Sequence, residues 1–327
     1  MAAVQLTDLR GPAALRTTRI PVPDSRDKVL IEVRAAGVNF PDLLMTYGKY
    51  QMRVPAPFVP GFEVSGVVSS APEASGMQVG DEVVAFCSQL GGYAEFVAVD
   101  PVAVAIKPPE LEFGAAAALL SNFQTVHFAL TRRASLRVGQ KLLVLGAAGG
   151  IGTAAVQVGK ALGAEVIAVA RREGVAEQLI ALGADHVVPL TDGWAARVRE
   201  LTGGTGVDHV LDPIGGPAFD EAVRVLAPEG TLLVVGFAAG GQIPSVKVNR
   251  LLLRNVSVAG VAWGEYMRVH PGAFAESMTE LGGLVAQGLR PFVSARFPLA
   301  DAAEALTALE RGQIVGKAVM EQTASAW

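Results

Sequence analysis

Three groups of residues in this chain have types and spacing suited to chemistry. The first is the run Leu142-Leu-Val-Leu-Gly-Ala-Ala-Gly-Gly-Ile-Gly152, which leads into an apolar Ala/Val-rich stretch. A buried strand ending in a tight glycine turn and followed by a helix makes an anion site. The glycines let backbone approach a pyrophosphate, and the helix presents its first amides to the charge. Against the dinucleotide pattern the register is Ala147, Gly149 and Gly152, with alanine in place of the first glycine. Gly149, Gly150, Ile151 and Gly152 are therefore predicted to bind a cofactor. A glycine-rich turn alone would be weak evidence, but a strand before, a helix after and a second strand at the expected distance make it specific.

The second group decides which cofactor. A ribose 2′-hydroxyl is usually met by an acid about 20 residues beyond the loop. Here Val166-Ile-Ala-Val-Ala170 ends without one, and Arg171-Arg172 follow. Two guanidiniums beside a neutral strand end suit a 2′-phosphate, so NADPH is predicted over NADH. The competing reading is that Arg171 and Arg172 solvate a helix start, where the helix dipole would favour an acid instead. Glu173 is itself placed to reach a ribose.

The third group lies in Gly37-Val-Asn-Phe-Pro-Asp-Leu-Leu-Met-Thr-Tyr-Gly-Lys-Tyr50, which carries Asn39, Asp42 and Tyr50. A phenol with an ordinary pKa of about 10 is protonated at neutral pH and can donate a hydrogen bond or a proton. Metal chemistry is not expected. A catalytic zinc takes about three N, S or O ligands around an open position. The chain has one cysteine, Cys87, and four histidines (127, 186, 209, 270) without ligand spacing, each read as a surface or core-edge residue.

These groups need elements to hold them. The chain has 327 residues, enough for two domains each with its own core. An apolar share of 51% with 37 glycines and 18% charged residues fits an Ala/Gly/Val-rich α/β enzyme. A net charge of −4 argues against a nucleic-acid surface, and no polybasic run is present to hold a membrane. Phe113 to Leu130 and Leu142 to Gly159 are uncharged, but their polar residues and glycines mark them as buried core rather than membrane spans. A lone cysteine, and an N-terminus (Met1 to Arg10) with Asp8 and no signal-length apolar run, lead to an expectation of a reducing, cytoplasmic setting.

The first third reads as short strands broken by Gly and Pro: Lys28 to Val33, Phe62 to Ser69, a turn at Val79 entering a strand to Val84, and Gly91 to Val99. That pattern predicts a small, partly open β-barrel. Residues 115–134 read as a helix ending in Arg132 and Arg133. Strands at 141–146, 165–170, 186–188, 207–211 and 230–236 then alternate with helices at 150–162, 173–182, 192–202 and 216–227. Such alternation predicts a parallel sheet covered on both faces. A helix near 273–287, a strand 292–297, a helix 300–310 and a strand 317–320 close the chain.

The segment 37–50, followed by Pro57-Phe-Val-Pro-Gly-Phe-Glu-Val-Ser-Gly66, Gly80-Asp-Glu-Val83, Gly91-Gly-Tyr-Ala-Glu95, the Ala-Ala-Gly-Gly-Ile-Gly loop and the closing Ile314-Val-Gly-Lys-Ala-Val319, resembles the zinc-independent quinone oxidoreductases of the medium-chain dehydrogenase/reductase superfamily. The resemblance spans nearly the whole chain. It implies a GroES-like catalytic domain over 1–118, a Rossmann NADPH-binding domain over 119–257 and a return to the catalytic domain over 258–327, with the active site in the interdomain cleft. Asn39 stands where a zinc enzyme of the superfamily has a cysteine and Phe62 where it has a histidine, and the four-cysteine structural lobe is missing. Glu63 alone cannot supply the three or so ligands that a catalytic zinc needs.

By the same resemblance Asn39 hydrogen-bonds the cofactor ribose or the substrate oxygen; Asp42 either braces this loop or takes part in the chemistry as a catalytic residue. Tyr50 matches the proton donor of related enoyl-thioester reductases, or else packs at a loop base; Tyr47 is out of register. Thr125, Gly236, Phe237, Val261 and Lys317 fall beside the cofactor, although Lys317 also reads as a solvated lysine before the last strand. Trp263 and Tyr266 either line the substrate pocket or pack. The strand Val256 to Val261 resembles the sheet edge through which the family forms homodimers. The activity implied is NADPH-dependent reduction of quinones or other α,β-unsaturated carbonyls. The alternatives are an enoyl-thioester reductase and a non-catalytic NADPH-binding sensor or scaffold.

Overall fold

A computed structural model of the chain describes residues 1–241 and 243–322. The chain divides into two compact units, one formed by Met1–Asn122 with Val269–Trp327 and the other by Phe123–Arg268. The resemblance places these divisions at 118/119 and 257/258. The second falls later where Trp263, at the start of the helix Trp263–Val269, packs on Phe128 within the Phe123–Arg268 unit.

The Phe123–Arg268 unit is built on a six-stranded sheet. Its spatial order is His186–Pro189, Glu165–Ala170, Lys141–Leu145, Val207–Asp212, Leu226–Val234 and Ser257–Gly260, with every neighbouring pair parallel. Its central strands are continuous apolar runs, as a sheet buried on both faces requires. Leu142, Leu143, Val144, Leu145, Val166, Ile167, Ala168 and Val169 have no exposed surface. The strand order runs outward from Lys141–Leu145 in one direction, then resumes on its other side with Val207–Asp212. That reversal opens a crevice at the carboxyl ends of these two strands, the place where doubly wound sheets bind ligands.

The other unit carries a seven-stranded, mostly antiparallel sheet around a separate core that includes Val29, Ile31, Val64, Val83, Leu306 and Met320. Its key strand is Val29–Val38. One side pairs with Glu63–Ser70; the other pairs with Phe96–Val99 along its first half and with Lys317–Glu321 along its second. Strand Lys317–Glu321 is thereby stitched beside Val38, in the register Ala318↔Val38.

Several elements differ from the sequence expectation for local reasons. The stretch read as one helix over 115–134 is α-helical at Phe113–Ala117 and Thr125–Phe128, and widens into π turns at Leu120–Gln124 and Ala129–Arg133. At the first π turn the Ser121 N–H donates to the Glu63 carboxylate at 2.6 Å, a bond off the helix axis. The helix expected from 173 begins at Ala176, after a turn at 171–174. The one expected over 216–227 spans Ala218–Arg224, and residues from Leu226 already belong to the next strand. Only Phe96–Val99 of the run 91–99 is strand. The hairpin Ala2–Leu6 with Leu15–Arg19 and the helices Phe40–Thr46, Val248–Arg254 and Trp263–Val269 were not anticipated. Pro41 masked the first of these helices, although the first turn is where a helix accepts proline.

Candidate active site and cofactor cradle

In the unit Met1–Asn122 with Val269–Trp327, the predicted residues Asn39, Asp42 and Lys317 converge with Glu63 in one buried polar cluster. Asn39 precedes the helix Phe40–Thr46 at the end of the long strand. Glu63 opens the neighbouring strand, and its side chain occupies the space that a Cβ at Gly37 would need. Lys317 opens the last strand on the other side. Glu63 has no exposed surface and Lys317 only 3%. The Lys317 Nζ lies 2.5 Å from Glu63 Oε1 and 2.5 Å from Asn39 Oδ1, and Asn39 Nδ2 donates to Glu63 Oε1 at 2.9 Å. Lysine is rarely buried unless paired, and removing one partner of a buried pair costs roughly 3–5 kcal/mol. The reading of Lys317 as a solvated lysine is corrected by this pairing: antiparallel pairing with Ala35–Val38 draws the start of the last strand into the interior.

Asp42 lies beneath this cluster with no exposed surface. Its carboxylate accepts the Asn39 N–H through one oxygen and the Gly61 N–H through the other, both at 3.1 Å, which ties the helix start to the loop at 61. Burial first, and the Glu63 charge second, push its pKa up to about 7, against the opposing pull of Lys317 and of hydrogen bonds from Tyr93 and Asn39. Tyr93 is fully buried, and burial together with the Asp42 charge holds its phenol protonated. Cys87 is buried nearby, and burial likewise pushes its thiol up, so it is no thiolate nucleophile.

Tyr50 is half-buried in an apolar group with Met45, Phe62 and Leu90, its ring edge-on to Phe62 with centroids 5.6 Å apart. Burial, then the Asp42 charge, raises its pKa, so the phenol keeps its proton. Tyr47 donates instead to Glu310 at 2.7 Å.

In the Phe123–Arg268 unit the predicted cofactor residues gather at the carboxyl edge of the parallel sheet. The helix Gly150–Ala161 starts there, with Gly149 as its N-cap, so the amides of Gly150, Ile151 and Gly152 form its first turn. A Cβ at residue 152 would overlap the Gly146 carbonyl and stand 2.5 Å from the Ala147 Cα. Arg171 is exposed and Arg172 half-buried, directly after strand Glu165–Ala170. Gly236 and Phe237 follow strand Leu226–Val234, where Ala238 N donates to Pro213 O at 3.1 Å, holding this loop against the end of strand Val207–Asp212. Val261 caps the edge strand, its N–H bonded to Val234 O at 2.9 Å. Thr125 lies in the helix Thr125–Phe128, packed on the helix Gly150–Ala161. A pyrophosphate fits this edge: the helix begins at the turn with its first amides, residue 152 has no room for a side chain, and the next strand is followed by Arg rather than acid.

Sequence reasoning missed Asp212 and the importance of Glu63. Asp212 is 1% exposed at the end of its strand. Its Oδ1 accepts the N–H groups of Ile214 at 2.9 Å and Gly215 at 2.8 Å, turning the chain at the crevice, and burial raises its pKa. An acid closing an apolar strand just before Pro-Ile-Gly-Gly was the available signal. Trp263 and Tyr266 pack with Phe128, and Arg132 lies 5.8 Å over the Tyr266 ring. His127 and His209 are buried, each 5% exposed, rather than at the surface.

Residues 25–110 match the alcohol dehydrogenase GroES-like domain and residues 150–281 the zinc-binding dehydrogenase domain. Quinone oxidoreductase-like protein 2 of Bos taurus is 34% identical over 322 residues, covering 97% of this chain and 91% of that protein. The chain belongs to the quinone oxidoreductase-like branch of the medium-chain dehydrogenases/reductases. A crystal structure of a probable oxidoreductase from Mycobacterium abscessus shares 52% identity with this family member and superposes with a TM-score of 0.91, covering 98% of each chain. The quinone oxidoreductase of Thermus thermophilus, also determined in complex with NADPH, is 35% identical with a TM-score of 0.85, over 98% of this chain and 100% of that one. Among the described residues no three His, Cys, Asp or Glu side chains come together as a group that could hold a metal ion. No helix among the described residues is long and apolar enough to cross a membrane.

Proposed function

We propose that this protein is an NADPH-dependent oxidoreductase that reduces quinones or other α,β-unsaturated carbonyl compounds without a metal. The observation that carries the proposal is the carboxyl edge of the parallel sheet, where a glycine turn too tight for a Cβ at residue 152 and a helix N-terminus stand beside a strand followed directly by Arg171 and Arg172. The amides of Gly150, Ile151 and Gly152 would hold the pyrophosphate, and Arg171 and Arg172 the 2′-phosphate. Thr125, Gly236, Phe237 and Val261 would border the rest of the cofactor. When bound, NADPH supplies the hydride.

The chain's own residues bind the electrophile and manage its proton. Asn39 hydrogen-bonds the oxygen that gains charge or the cofactor ribose, a role in which a donor held in a dry setting is worth more than in water. Tyr50 carries a phenolic proton held by burial and can pass it to the reduced product. Asp42 braces the loop that carries Asn39.

Steady-state assays with NADPH and benzoquinone, a short enone or crotonyl-CoA test the proposal. Turnover of quinone or enone is expected. A large excess of turnover on the thioester would replace it with enoyl-thioester reduction, and NADPH binding without turnover on any electrophile would replace it with a sensor or scaffold.

The strand Ser257–Gly260 pairs on one side only and ends the sheet. Nearby in sequence, Val248, Leu252 and Leu253 each leave at least 75% of their surface exposed. We assign this edge to a homodimer contact, which sedimentation at micromolar concentration would reveal as a particle of twice the chain mass.

A further inference from the structure

We infer that Glu63 and Lys317 are positioning residues that fix the orientation of the Asn39 amide, so that its NH2 and carbonyl cannot exchange places when it meets a ligand oxygen. The inference rests on the reading of Asn39 as the group that meets a ligand oxygen, and it adds the polarity of that contact.

An Asn side chain has two ends of nearly equal shape and opposite hydrogen-bonding character: a carbonyl that accepts and an NH2 that carries two donors. Turned over, it presents an acceptor where it had presented a donor. In most settings neighbours of mixed character tolerate either orientation. The neighbours of Asn39 do not. Lys317 carries only donors, and its Nζ is 2.5 Å from Asn39 Oδ1. Ionised Glu63 is acceptor-only, and its Oε1 takes a hydrogen from Asn39 Nδ2 at 2.9 Å. Turning the amide over would set NH2 against ammonium and carbonyl against carboxylate at once.

The two clamping groups are themselves held. Lys317 and Glu63 pair directly at 2.5 Å, and the second Glu63 oxygen accepts the Ser121 N–H at 2.6 Å. The Asn39 N–H is bound to Asp42, which anchors the residue's backbone as well. Asn39 and Lys317 are nearly fully buried and Glu63 completely so, which spares the three contacts from competition by water. One Asn39 amide hydrogen is committed to Glu63, which under this reading leaves the second as the donor for a ligand oxygen. A carbonyl, phenolate or hydroxyl oxygen acting as acceptor suits that second hydrogen.

The test uses the NADPH-loaded enzyme. The double variant Glu63→Gln/Lys317→Met removes both charges together, so neither is left buried alone, and it leaves the amide free to turn. A fall in kcat on benzoquinone of about tenfold or more is expected. Lys317→Arg keeps a donor-only cation and is expected to retain most of kcat. In the 1H–15N spectrum the Asn39 side-chain pair should be widely split in the wild type and in Lys317→Arg, and should collapse toward free-amide positions in the double variant. An Asn39 pair unmoved in a folded double variant would overturn the clamp whether or not the enzyme turns over any electrophile. Unchanged kcat in that variant would overturn the positioning role. If the double variant does not fold, neutron diffraction of the wild type decides: deuterons on the Asn39 atom facing Glu63 support the clamp, and deuterons on the atom facing Lys317 overturn it.

Discussion

Gly152 and the Gly146 carbonyl approach so closely that any Cβ on residue 152 would overlap the oxygen, and it would also crowd the Ala147 Cα at 2.5 Å. The obstruction is backbone on both sides, so no side chain can move to relieve it. Gly152→Ala must push the helix Gly150–Ala161 away from the turn. Forcing extra atoms into a packed site costs typically 1–3 kcal/mol. We expect a lower Tm and an NADPH affinity weakened at least tenfold. Wild-type Tm and affinity in this variant, by thermal melt and fluorescence titration, would show that the turn is not the cofactor's cradle.

Arg171→Ala should weaken NADPH far more than NADH. A hydrogen bond to a charged group is worth about 1.5–3 kcal/mol, so the NADPH Kd should rise roughly tenfold to a hundredfold. The NADH Kd should stay within about twofold. Equal losses for both cofactors would remove Arg171 from the 2′-phosphate site.

Tyr50→Phe keeps the ring that packs edge-on against Phe62 and removes only the hydroxyl. If the phenol delivers the proton, kcat on an enone should fall by about 100-fold, within the usual range for general acid catalysis. NADPH affinity should not change. A kcat equal to wild type would return Tyr50 to a packing role.

Asp42 makes stability depend on pH in a direction that can be worked out. Its folded pKa, about 7, lies above the ordinary carboxyl value of 3.8 because burial disfavours the charge. A group raised in this way contributes stability fully below its unfolded pKa and loses it as pH rises toward the folded value. The Tm of wild type should therefore decline between about pH 4 and pH 7 relative to Asp42→Asn, which cannot titrate, and the difference should level off above that window. A wild-type minus variant difference that is flat across the window would mean Asp42 is ionised throughout.

The glycine turn proposed to hold the cofactor could be read from the sequence because everything that shapes it is local. Strand, turn, helix and second strand occupy one stretch from Lys141 to Arg172, and each constraint acts between near neighbours: buried strands need apolar runs, the turn needs glycine, and the phosphate needs Arg rather than acid. The parallel sheet followed from the same periodicities. Elements whose reason is not local were misjudged. The helix expected over 115–134 widens into π turns where Ser121 meets Glu63, a partner 58 positions away.

Residue types alone set the glycine cradle, the basic strand end and the absence of a cysteine or histidine at positions 39 and 62. Tertiary structure alone decided the environment of Asn39. Its partner Lys317 is 278 positions distant and arrives only because the last strand pairs with residues 35–38, while Glu63 arrives on the opposite side of the same strand. Antiparallel pairing joins segments without regard to their separation, and burial then turns a lysine that reads as solvated into half of an ion pair. No spacing rule carries that information, because it depends on which strands find each other and on how much water they exclude.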